Sequence, residues 1–571
     1  MTPEQLLAWL ADPLPGRGVR IADPSGSGWE YREFPDLASS SRRVAAALAE
    51  DGVRSGDVVC VLMPTGFDTL TAFFGAWVLG ATPCLISPPS FAARDGYVAG
   101  LAAILAQARP RFVVTSPDLA EVAQSGLAAA GLPGDPWLWR EADRGADPVP
   151  PSGLALLQFT SGSTGAARGV RVSWANLAAN IALIRDWLDW TDGDVTASWL
   201  PLFHDMGLIG CLLTPVTAQC DLWLMRPSQF IRDPLRWLRC LCVAQHTAAP
   251  PFALDHVTRR VRPEDVADLD LSGWRGLILG AEPIDPVVLE GFTRLLEPAG
   301  FRRGAYRTAY GLAEATLAVT AHVGPRAPRA ARLAPGSLRL GHAVCVDADY
   351  RLGESPPAGR SGWLVGCGAP RPGFAVAVVD EDGVELPAVH LGEIAVRGPS
   401  TAAGYQEGEG GGSTRFRDGR LLTGDAGFVY DGELFVLGRM GDSLKIRGRS
   451  IFVEDLETEV ARVTGLPKSR FAVVSVPGAG TPTVALLVEA PPGGWMSPAR
   501  AALAAVLGDG VELVVVTGRA GLVVRTTSGK PRRRLLAGLV AAGLPDGARV
   551  VQATAPDAAA PDTEALAEGA A

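Results

Sequence analysis

A cluster of hydroxyl-bearing residues and glycines separates two apolar segments near residue 160. Six of the seven residues from Thr160 to Ala166 are Gly, Ser or Thr, and Arg168 follows them. Hydroxyl groups and unshielded backbone N–H groups are suited to binding phosphate oxygens, although the same composition is also typical of a flexible turn. A GTPase-type phosphate loop is not indicated, because the lysine that ends such a loop is missing. The loop alone therefore leaves both interpretations open.

The neighbouring segments predict that this loop connects two strands. Residues 154–160 (LALLQFT) and 169–172 (GVRV) are apolar enough for buried strands. Ser173 is then expected to cap a helix. The apolar side chains of that helix recur at helical spacing and share one face: Leu177, Ile181, Ile184 and Leu188.

Five further segments place polar residues within apolar surroundings. They are SWLPLFHDMGLIG (198–210), LILGAEPI (277–284), TAYGLAEATLAVT (308–320), LLTGDAGFVYDGELFVLGRMGDSLKIRGRSIFVEDLE (421–457) and RTTSGKPRRR (525–534). With the loop at Thr160, in this order and spacing, they resemble the adenylate-forming superfamily of acyl-CoA synthetases, adenylation domains and luciferases. LQFTSGSTG, WLPLFHDMGLIG and AYGLAEATL look most like fatty acyl-AMP ligases. The resemblance covers residues 20 to 540.

The resemblance implies a reaction with two halves. A carboxylate would be joined to the α-phosphate of ATP with release of pyrophosphate, and the acyl group would then pass to the phosphopantetheine thiol of an acyl carrier protein. A fatty acid has a pKa near that of glutamate, about 4.3, so it is already ionised at neutral pH and needs no general base. The site must instead bring two anions together, which calls for hydrogen-bond donors, cations and Mg²⁺.

The resemblance also assigns the nucleotide-binding residues. The residues expected to bind the β- and γ-phosphates are Thr160, Ser161, Gly162, Ser163, Thr164 and Gly165. Arg168 stands where many relatives carry lysine. The residues expected to bind adenine and ribose are Gly280, Ala281, Glu282, Tyr310 and Gly311. The Tyr310 ring would stack on adenine. Asp425 would accept hydrogen bonds from the ribose hydroxyls, assisted by Arg439.

The same resemblance implies two catalytic residues and one metal ligand. Glu314 matches the Mg²⁺ carboxylate, which suits an ion that takes one or two carboxylates together with phosphate oxygens. Lys530 would bridge the carboxylate and the α-phosphate, although it could instead belong to a solvated basic face with the arginines that follow it. His204 would close over the substrate or line the entry of the thiol, and a purely structural histidine is the alternative.

Alternation of strands and helices predicts an α/β fold. We expect a large N-terminal domain (1–438) of layered α/β subdomains, which becomes β-rich from about Gly341 and includes strands at 374–379, 392–396 and 433–436. A small, mobile α+β domain (439–549) and a disordered tail (550–571) complete the chain. By resemblance, Asp442 is the hinge on which the C-terminal domain turns between the two half-reactions.

Composition excludes several classes of protein. The net charge of −9 argues against nucleic acid as a partner, and the eight cysteines include no zinc-type cluster and are expected to be buried and reduced. The first 16 residues lack the basic region and apolar core of a signal peptide, so we expect a cytoplasmic protein. The uncharged run 70–87 is interrupted by Gly80 and Pro83 and predicts a core helix and strand rather than a membrane span.

The acceptor of the acyl group is predicted from two features. Thr320 and Val365 are separated by about 45 residues, where fatty acyl-AMP ligases carry an insertion that disfavours CoA. Residues 439–549 contain 15 Lys or Arg and 9 Asp or Glu, a net charge of +6, which suits an acidic carrier protein. Lys445 departs from this pattern, because fatty acyl-AMP ligases often have an aliphatic residue there and CoA ligases often have lysine, which serves the second half-reaction.

Other functions remain open on the sequence. An acyl-CoA ligase or a stand-alone adenylation enzyme would carry the same motifs, and a catalytically silent nucleotide-binding protein would keep the fold. Residues 248–255 (AAPPFALD) fall where the family shapes its acyl pocket. The identity of the acid is not predicted.

Overall fold

The computed structural model describes residues 1–554 except 25, 90–93, 161–166, 335–336, 356–361, 408–412, 447–448, 477–482, 509–510, 527–528 and 543–547, with backbone only at 94–95, 442, 445–446, 449–450 and 552–554. The chain forms two compact units that divide between Gly441 and Asp442. The sequence pattern places this boundary between Gly438 and Arg439, but β-sheet pairing extends the first unit past that point.

The elements of the first unit are as follows. Its helices are α1 (Pro3–Ala11), α2 (Phe34–Glu50), α3 (Phe67–Val78), α4 (Arg94–Ala108), α5 (Ala120–Ala129), α6 (Trp174–Trp187), α7 (Thr214–Thr217), α8 (Pro227–Arg232), α9 (Pro234–Cys240), α10 (Pro251–Arg260) and α11 (Pro286–Leu296). Its strands are β1 (Gly18–Ala22), β2 (Trp29–Glu33), β3 (Val58–Leu62), β4 (Thr82–Leu85), β5 (Phe112–Thr115), β6 (Trp137–Leu138), β7 (Leu154–Thr160), β8 (Arg168–Ser173), β9 (Thr196–Ser198), β10 (Leu222–Leu224), β11 (His246–Ala249), β12 (Gly276–Leu279), β13 (Tyr306–Gly311), β14 (Ala318–Ala321), β15 (Arg329–Leu333), β16 (Val346–Arg351), β17 (Trp363–Val365), β18 (Ala369–Pro370), β19 (Ala375–Val379), β20 (Gly392–Arg397), β21 (Arg415–Arg417), β22 (Arg420–Tyr430) and β23 (Glu433–Arg439).

The second unit contains three α-helices and six strands among the residues that are described. They are β24 (Ser443–Ile446), β25 (Arg449–Phe452), α12 (Val453–Thr464), β26 (Phe471–Val476), β27 (Thr483–Val488), α13 (Met496–Leu507), β28 (Glu512–Thr517), α14 (Arg533–Ala542) and β29 (Arg549–Thr554).

A nine-stranded sheet positions three of the six motifs of the predicted site. Its order is β18-β14-β13-β12-β11-β9-β10-β1-β2, and the strands from β13 to β1 run parallel. The carboxyl ends of β9, β12 and β13 therefore lie along one edge. Three of the motifs follow or overlap those ends, and this edge is where ligands bind in open parallel sheets.

A second parallel sheet, in the order β4-β3-β5-β6, accounts for the uncharged run at 70–87. Helix α3 and strand β4 are almost entirely buried, as a core helix and strand should be. The interpretation as core structure is confirmed. In the described part of the chain, no helix combines the length and apolar character needed to cross a bilayer.

The loop at Thr160 joins the two strands of an antiparallel hairpin, β7 and β8. Ser173 then caps α6: its hydroxyl accepts from the Asn176 backbone N–H, and the Asn176 side chain accepts from the Ser173 N–H. This capping box satisfies two N–H groups that the first turn of a helix leaves unpaired. The two predicted strands and the capped helix are confirmed, while residues 161–166 between the strands lie outside the described part of the chain.

The β-rich part of the first unit comprises two further sheets. Strands β16-β15-β17 form an antiparallel sheet from the segment between Thr320 and Val365, where the resemblance predicts an insertion. Strands β19-β20-β22-β21 form the other, with β23 paired to β22, and they include the three predicted runs. This pairing places Asp425 directly opposite Arg439.

The second unit packs its helices on a four-stranded sheet in the order β26-β27-β28-β29. The predicted disordered tail was wrong at its start, since residues 550–554 belong to β29 and pair antiparallel with β28. Without β29, the backbone N–H and C=O groups along one edge of β28 would have no strand to pair with. Residues 555–571 lie outside the described part of the chain.

The cysteine prediction was partly wrong. All eight cysteines are free thiols, but Cys242 and Cys345 are exposed. Cys242 lies in the turn after α9, and Cys345 lies in the loop before β16, where backbone turns face solvent.

Candidate active site

Three predicted residues form one hydrogen-bonded chain across two sheets. The Tyr310 hydroxyl donates to Asp425 Oδ2 at 2.6 Å, and Arg439 Nε contacts Asp425 Oδ1 at 2.9 Å. Tyr310 and Asp425 are buried, whereas Arg439 is partly exposed. A carboxylate has about four acceptor positions, so Asp425 can accept two more hydrogen bonds from a ligand.

The protonation state of Tyr310 follows from its surroundings. Burial, together with the adjacent Asp425 carboxylate, raises the pKa of Tyr310 well above its ordinary value. Both causes penalise the phenolate. The hydroxyl therefore stays protonated at neutral pH and donates to Asp425.

A second nitrogen of Arg439, Nη1, also forms hydrogen bonds. Arg439 Nη1 donates to the Thr423 carbonyl at 2.7 Å and to the Thr414 hydroxyl at 3.2 Å. The guanidinium thus has several fixed partners and a defined orientation. A preoriented arginine of this kind loses little conformational entropy when a ligand binds.

Arg168, Tyr405 and Glu314 form a second cluster. The Tyr405 hydroxyl donates to Glu314 Oε1 at 2.6 Å, and the Arg168 guanidinium lies over the Tyr405 ring, 4.0 Å from its centroid. Arg168 Nη2 is 3.7 Å from the same Glu314 oxygen. Glu314 is only 4% exposed, and among the described residues nothing donates to its second oxygen.

The turn that carries Glu314 has an uncommon backbone conformation. Thr316 has φ +70° and ψ −58°, and the Leu317 N–H donates to the Ala315 carbonyl at 2.9 Å. These values describe a γ-turn of the strained type, which costs energy and persists only where neighbouring contacts enforce it. A Cβ at Gly311 would lie 1.9 Å from the Leu317 carbonyl oxygen, so only glycine fits there.

Asn180 in α6 enforces this turn. Its side-chain nitrogen donates to the carbonyls of Ala315 and Ala318 and to the Ser400 hydroxyl, and its oxygen accepts from the Ala318 N–H. Sequence reasoning missed Asn180, Thr316 and Tyr405. Each acts through contacts with residues distant in the chain, and the only signal was a polar asparagine within an apolar helical face.

The segment Gly280 to Glu282 follows β12 at the same sheet edge. Ala281 has φ +70°, a left-handed conformation that is uncommon for a residue with a side chain. A Cβ at Gly280 would be 2.9 Å from the Ala309 carbonyl oxygen, so β12 and β13 approach closely here. The exposed Ala281 leaves backbone groups accessible at the edge beside Tyr310.

His204 lies in the segment that follows β9. The neighbouring Phe203 carbonyl accepts from Gln158 Nε2 at 2.9 Å, and Gln158 is a buried residue of β7. The His204 segment is therefore fixed to the strand that leads into the Ser/Thr/Gly loop. The Phe203 and His204 rings are 4.8 Å apart.

Ser161, Gly162, Ser163, Thr164 and Gly165 lie outside the described residues, as do the side chains of Asp442 and Lys445. Thr160 ends β7, opposite Arg168. Lys530 belongs to the second unit, where its side chain is exposed and its carbonyl accepts from the Thr526 N–H at 2.7 Å.

Glu314 offers a single carboxylate to a metal ion. No group of three or more His, Cys, Asp or Glu that could hold an ion occurs within the described ranges. A single carboxylate with a free oxygen instead fits Mg²⁺, which keeps waters and substrate phosphates among its ligands.

Comparison with known proteins identifies the family. The family described as AMP-binding enzyme matches residues 19–406, a range that contains Arg168, Glu314 and Tyr405. The chain belongs to this family. It is an adenylate-forming ligase, and such enzymes use ATP.

Relatives of this AMP-binding enzyme include two curated ligases and a solved structure. It is 33% identical over 500 residues to a long-chain-fatty-acid–AMP ligase of Mycobacterium marinum, covering 82% of each chain. It is 31% identical over 464 residues to a medium-chain-fatty-acid–[acyl-carrier-protein] ligase of Moorena producens, covering 75% of each. A structure from a study of fatty acyl-adenylate ligases from E. coli and L. pneumophila matches with a TM-score of 0.84 and 26% identity, over 95% of this chain and 99% of that chain.

Proposed function

We propose that this enzyme joins a fatty acid to the α-phosphate of ATP, releases pyrophosphate, and transfers the acyl group to the phosphopantetheine thiol of an acyl carrier protein. The observation that carries the proposal is the meeting of Asp425 and Arg439 with Tyr310 beside the sheet edge that bears Gly280. The names of the two curated relatives support the choice of a fatty acid and of a carrier protein.

Each of the two clusters binds a different part of ATP. Asp425 accepts from the ribose hydroxyls, while Tyr310 and Arg439 hold its carboxylate in place. Gly280, Ala281 and Glu282 lie against the nucleoside, with the Tyr310 ring beside adenine. The Thr160 loop and Arg168 bind the terminal phosphates, where hydroxyl, N–H and guanidinium groups neutralise charge.

Glu314 would hold Mg²⁺ through its second oxygen. Bound there, the ion supplies charge neutralisation at the phosphates. Burial of Glu314 and the Tyr405 hydrogen bond fix this carboxylate in one orientation. A fixed ligand does not have to be reorganised during the reaction.

Lys530 is the residue proposed to approach the reacting groups. Its side chain is exposed, so the cation is accessible from solvent. It would contact the acid carboxylate and the α-phosphate during adenylation and withdraw for transfer, with rotation about Asp442 between the two states. His204 would then line the path of the thiol, with Lys445 serving the second half-reaction.

The proposal is tested by fatty-acid-dependent exchange of pyrophosphate into ATP. Acids from about C4 to C20 are compared with amino acids and aromatic acids under the same conditions. Exchange with fatty acids only is expected. Exchange with amino acids only would refute the fatty-acid assignment, and the absence of exchange with all acids would refute adenylation.

A second measurement tests the acceptor. The acyl-adenylate is offered holo carrier protein, apo carrier protein and CoA, and products are separated by mass. Thioester on the holo carrier alone is expected, since the apo protein lacks the thiol. Efficient synthesis of acyl-CoA would instead indicate an acyl-CoA ligase.

A further inference from the structure

Tyr405 contacts two opposite charges with different parts of its side chain. Its hydroxyl donates to Glu314 Oε1 at 2.6 Å, and its ring lies 4.0 Å from the Arg168 guanidinium carbon. The arginine and the carboxylate are themselves 3.7 Å apart at their nearest atoms. An unrestrained arginine and carboxylate usually close to about 2.8 Å, often through two hydrogen bonds. The pair is therefore held short of full contact.

The backbone around Tyr405 is fixed on two sides. Tyr405 pairs with Val170 of β8, and the Gln406 N–H donates to the Gly169 carbonyl at 2.8 Å. On the other side, the Ala402 N–H donates to the Glu314 carbonyl at 2.8 Å. The same short segment thus connects the strand that carries Arg168 with the turn that carries Glu314.

Arg168 also has a hydrogen-bond partner other than Glu314. Its Nη1 donates to the Thr414 carbonyl at 3.2 Å. Together with the Tyr405 ring, this bond keeps the guanidinium from taking up both carboxylate oxygens. One Glu314 oxygen is occupied by the Tyr405 hydroxyl, and the other receives no hydrogen bond from any described residue.

We propose that Tyr405 is a positioning residue that keeps Arg168 and Glu314 apart, so that Arg168 remains available to phosphate and one Glu314 oxygen to a divalent cation. The inference rests on the proposed function for the roles of those two residues. Tyr405 would act through its contacts with these two side chains. Without its hydroxyl, Glu314 would be free to rotate and pair fully with Arg168, which would neutralise both groups.

The test is Tyr405→Phe, which removes the hydroxyl and keeps the ring that contacts Arg168. Binding of Mn²⁺ is measured in the presence of ATP by the electron paramagnetic resonance signal of free Mn²⁺. A 10–100-fold weaker affinity is expected, the usual cost of losing a hydrogen bond to a metal-binding carboxylate. In the exchange assay, the Mg²⁺ concentration for half-maximal rate should rise more than the rate at saturating Mg²⁺ falls.

Tyr430→Phe is the matched control. Its hydroxyl also donates to a carboxylate, Asp349, at 3.4 Å, but in the sheet of β22 away from Arg168 and Glu314. It should lose no Mn²⁺ affinity. Thermal unfolding of both variants checks that each is folded, and unchanged Mn²⁺ affinity in folded Tyr405→Phe would overturn the inference.

A double-mutant cycle separates positioning from general loss of structure. If Tyr405 acts through Glu314, Tyr405→Phe should lower the residual exchange rate less than twofold when Glu314→Gln is already present. The same loss in both backgrounds would show that Tyr405 acts independently of Glu314. If the wild type binds Mn²⁺ with ATP but exchanges with no acid, the proposed function fails while the Mn²⁺ comparison still tests Tyr405.

Discussion

Asp425 and Glu314 each receive a short hydrogen bond from a buried tyrosine, Tyr310 and Tyr405 respectively, at 2.6 Å in both cases. Each carboxylate also has an arginine beside it. Burial and the adjoining carboxylate raise the pKa of both tyrosines, so both remain donors at neutral pH. At the scale of the residue, the site therefore contains two oriented carboxylates, and the described residues donate no further hydrogen bonds to them.

Lys530 yields the first prediction. Lys530→Ala should reduce exchange of pyrophosphate by roughly 10²–10³, the cost of removing one preorganised charge-stabilising donor. Because the side chain is exposed, thermal unfolding should be unchanged. Arg534→Ala is the control, an exposed cation four residues later in the chain, and should exchange at the normal rate. Near-normal exchange in Lys530→Ala would remove this residue from the mechanism.

At the scale of the element, the turn after β13 determines where Glu314 lies. Strand β13 ends at Gly311, the strained turn follows at once, and β14 returns antiparallel to it. Helix α6 holds the turn through Asn180. Strain at a single residue is thus offset by hydrogen bonds from another element.

Gly311→Ala tests this arrangement. Its Cβ would meet the Leu317 carbonyl oxygen at 1.9 Å, so the turn has to shift, and overpacking of this kind costs about 1–3 kcal/mol. Lower thermal stability and loss of exchange are expected together. Gly193→Ala is the control because a Cβ there meets no atom within 4 Å. A fully active Gly311→Ala would mean that the turn does not position Glu314.

A third prediction concerns His246 at the start of β11. Its Nε2 lies 2.9 Å from Asp194 Oδ2, and Trp190 stacks on its ring. Burial lowers the pKa of His246, although the hydrogen bond to Asp194 opposes this effect. Burial opposes ionisation of Asp194, but its hydrogen bonds lower its pKa to about 2. Neutral His246 therefore donates to an ionised Asp194.

The sign of the pH dependence follows. The unfolded chain binds a proton on His246 near pH 6.5, whereas the folded chain does so only at lower pH, so stability falls as the pH drops from 7 to 5. Protonation of Asp194 lowers the folding stability further only below about pH 4. In His246→Gln the unfolding temperature should fall less over the same interval. An equal fall in both proteins would show that His246 is protonated in the fold.

At the scale of the whole molecule, charge is divided unevenly. Residues 439–549 carry a net charge of +6, while residues 1–438 carry −11. A basic domain attracts an acidic partner over a distance set by the ionic strength, about 8 Å at 0.15 M. Carrier proteins are generally acidic, so we expect this asymmetry to govern their encounter with the enzyme.

Transfer to holo carrier protein should therefore weaken with salt. The apparent kcat/KM for the carrier is expected to fall roughly tenfold between low salt and about 0.5 M KCl, because steering is screened. Exchange of pyrophosphate, measured at the same salt concentrations, is the control and should change less. Transfer that is insensitive to salt would show that charge does not guide the carrier.

The sequence by itself determined the family, through several motifs in a fixed order. It also determined the alternation of strands and helices and some local features, because these depend on residue types within a few positions of one another. The hairpin around Thr160 and the cap at Ser173 are examples. Only the tertiary structure decided which side chains meet. Tyr405 reaches Glu314 across 91 positions, and Tyr310 reaches Asp425 across 115. Such contacts depend on the register of strands and on packing between sheets, which no local pattern of residues contains.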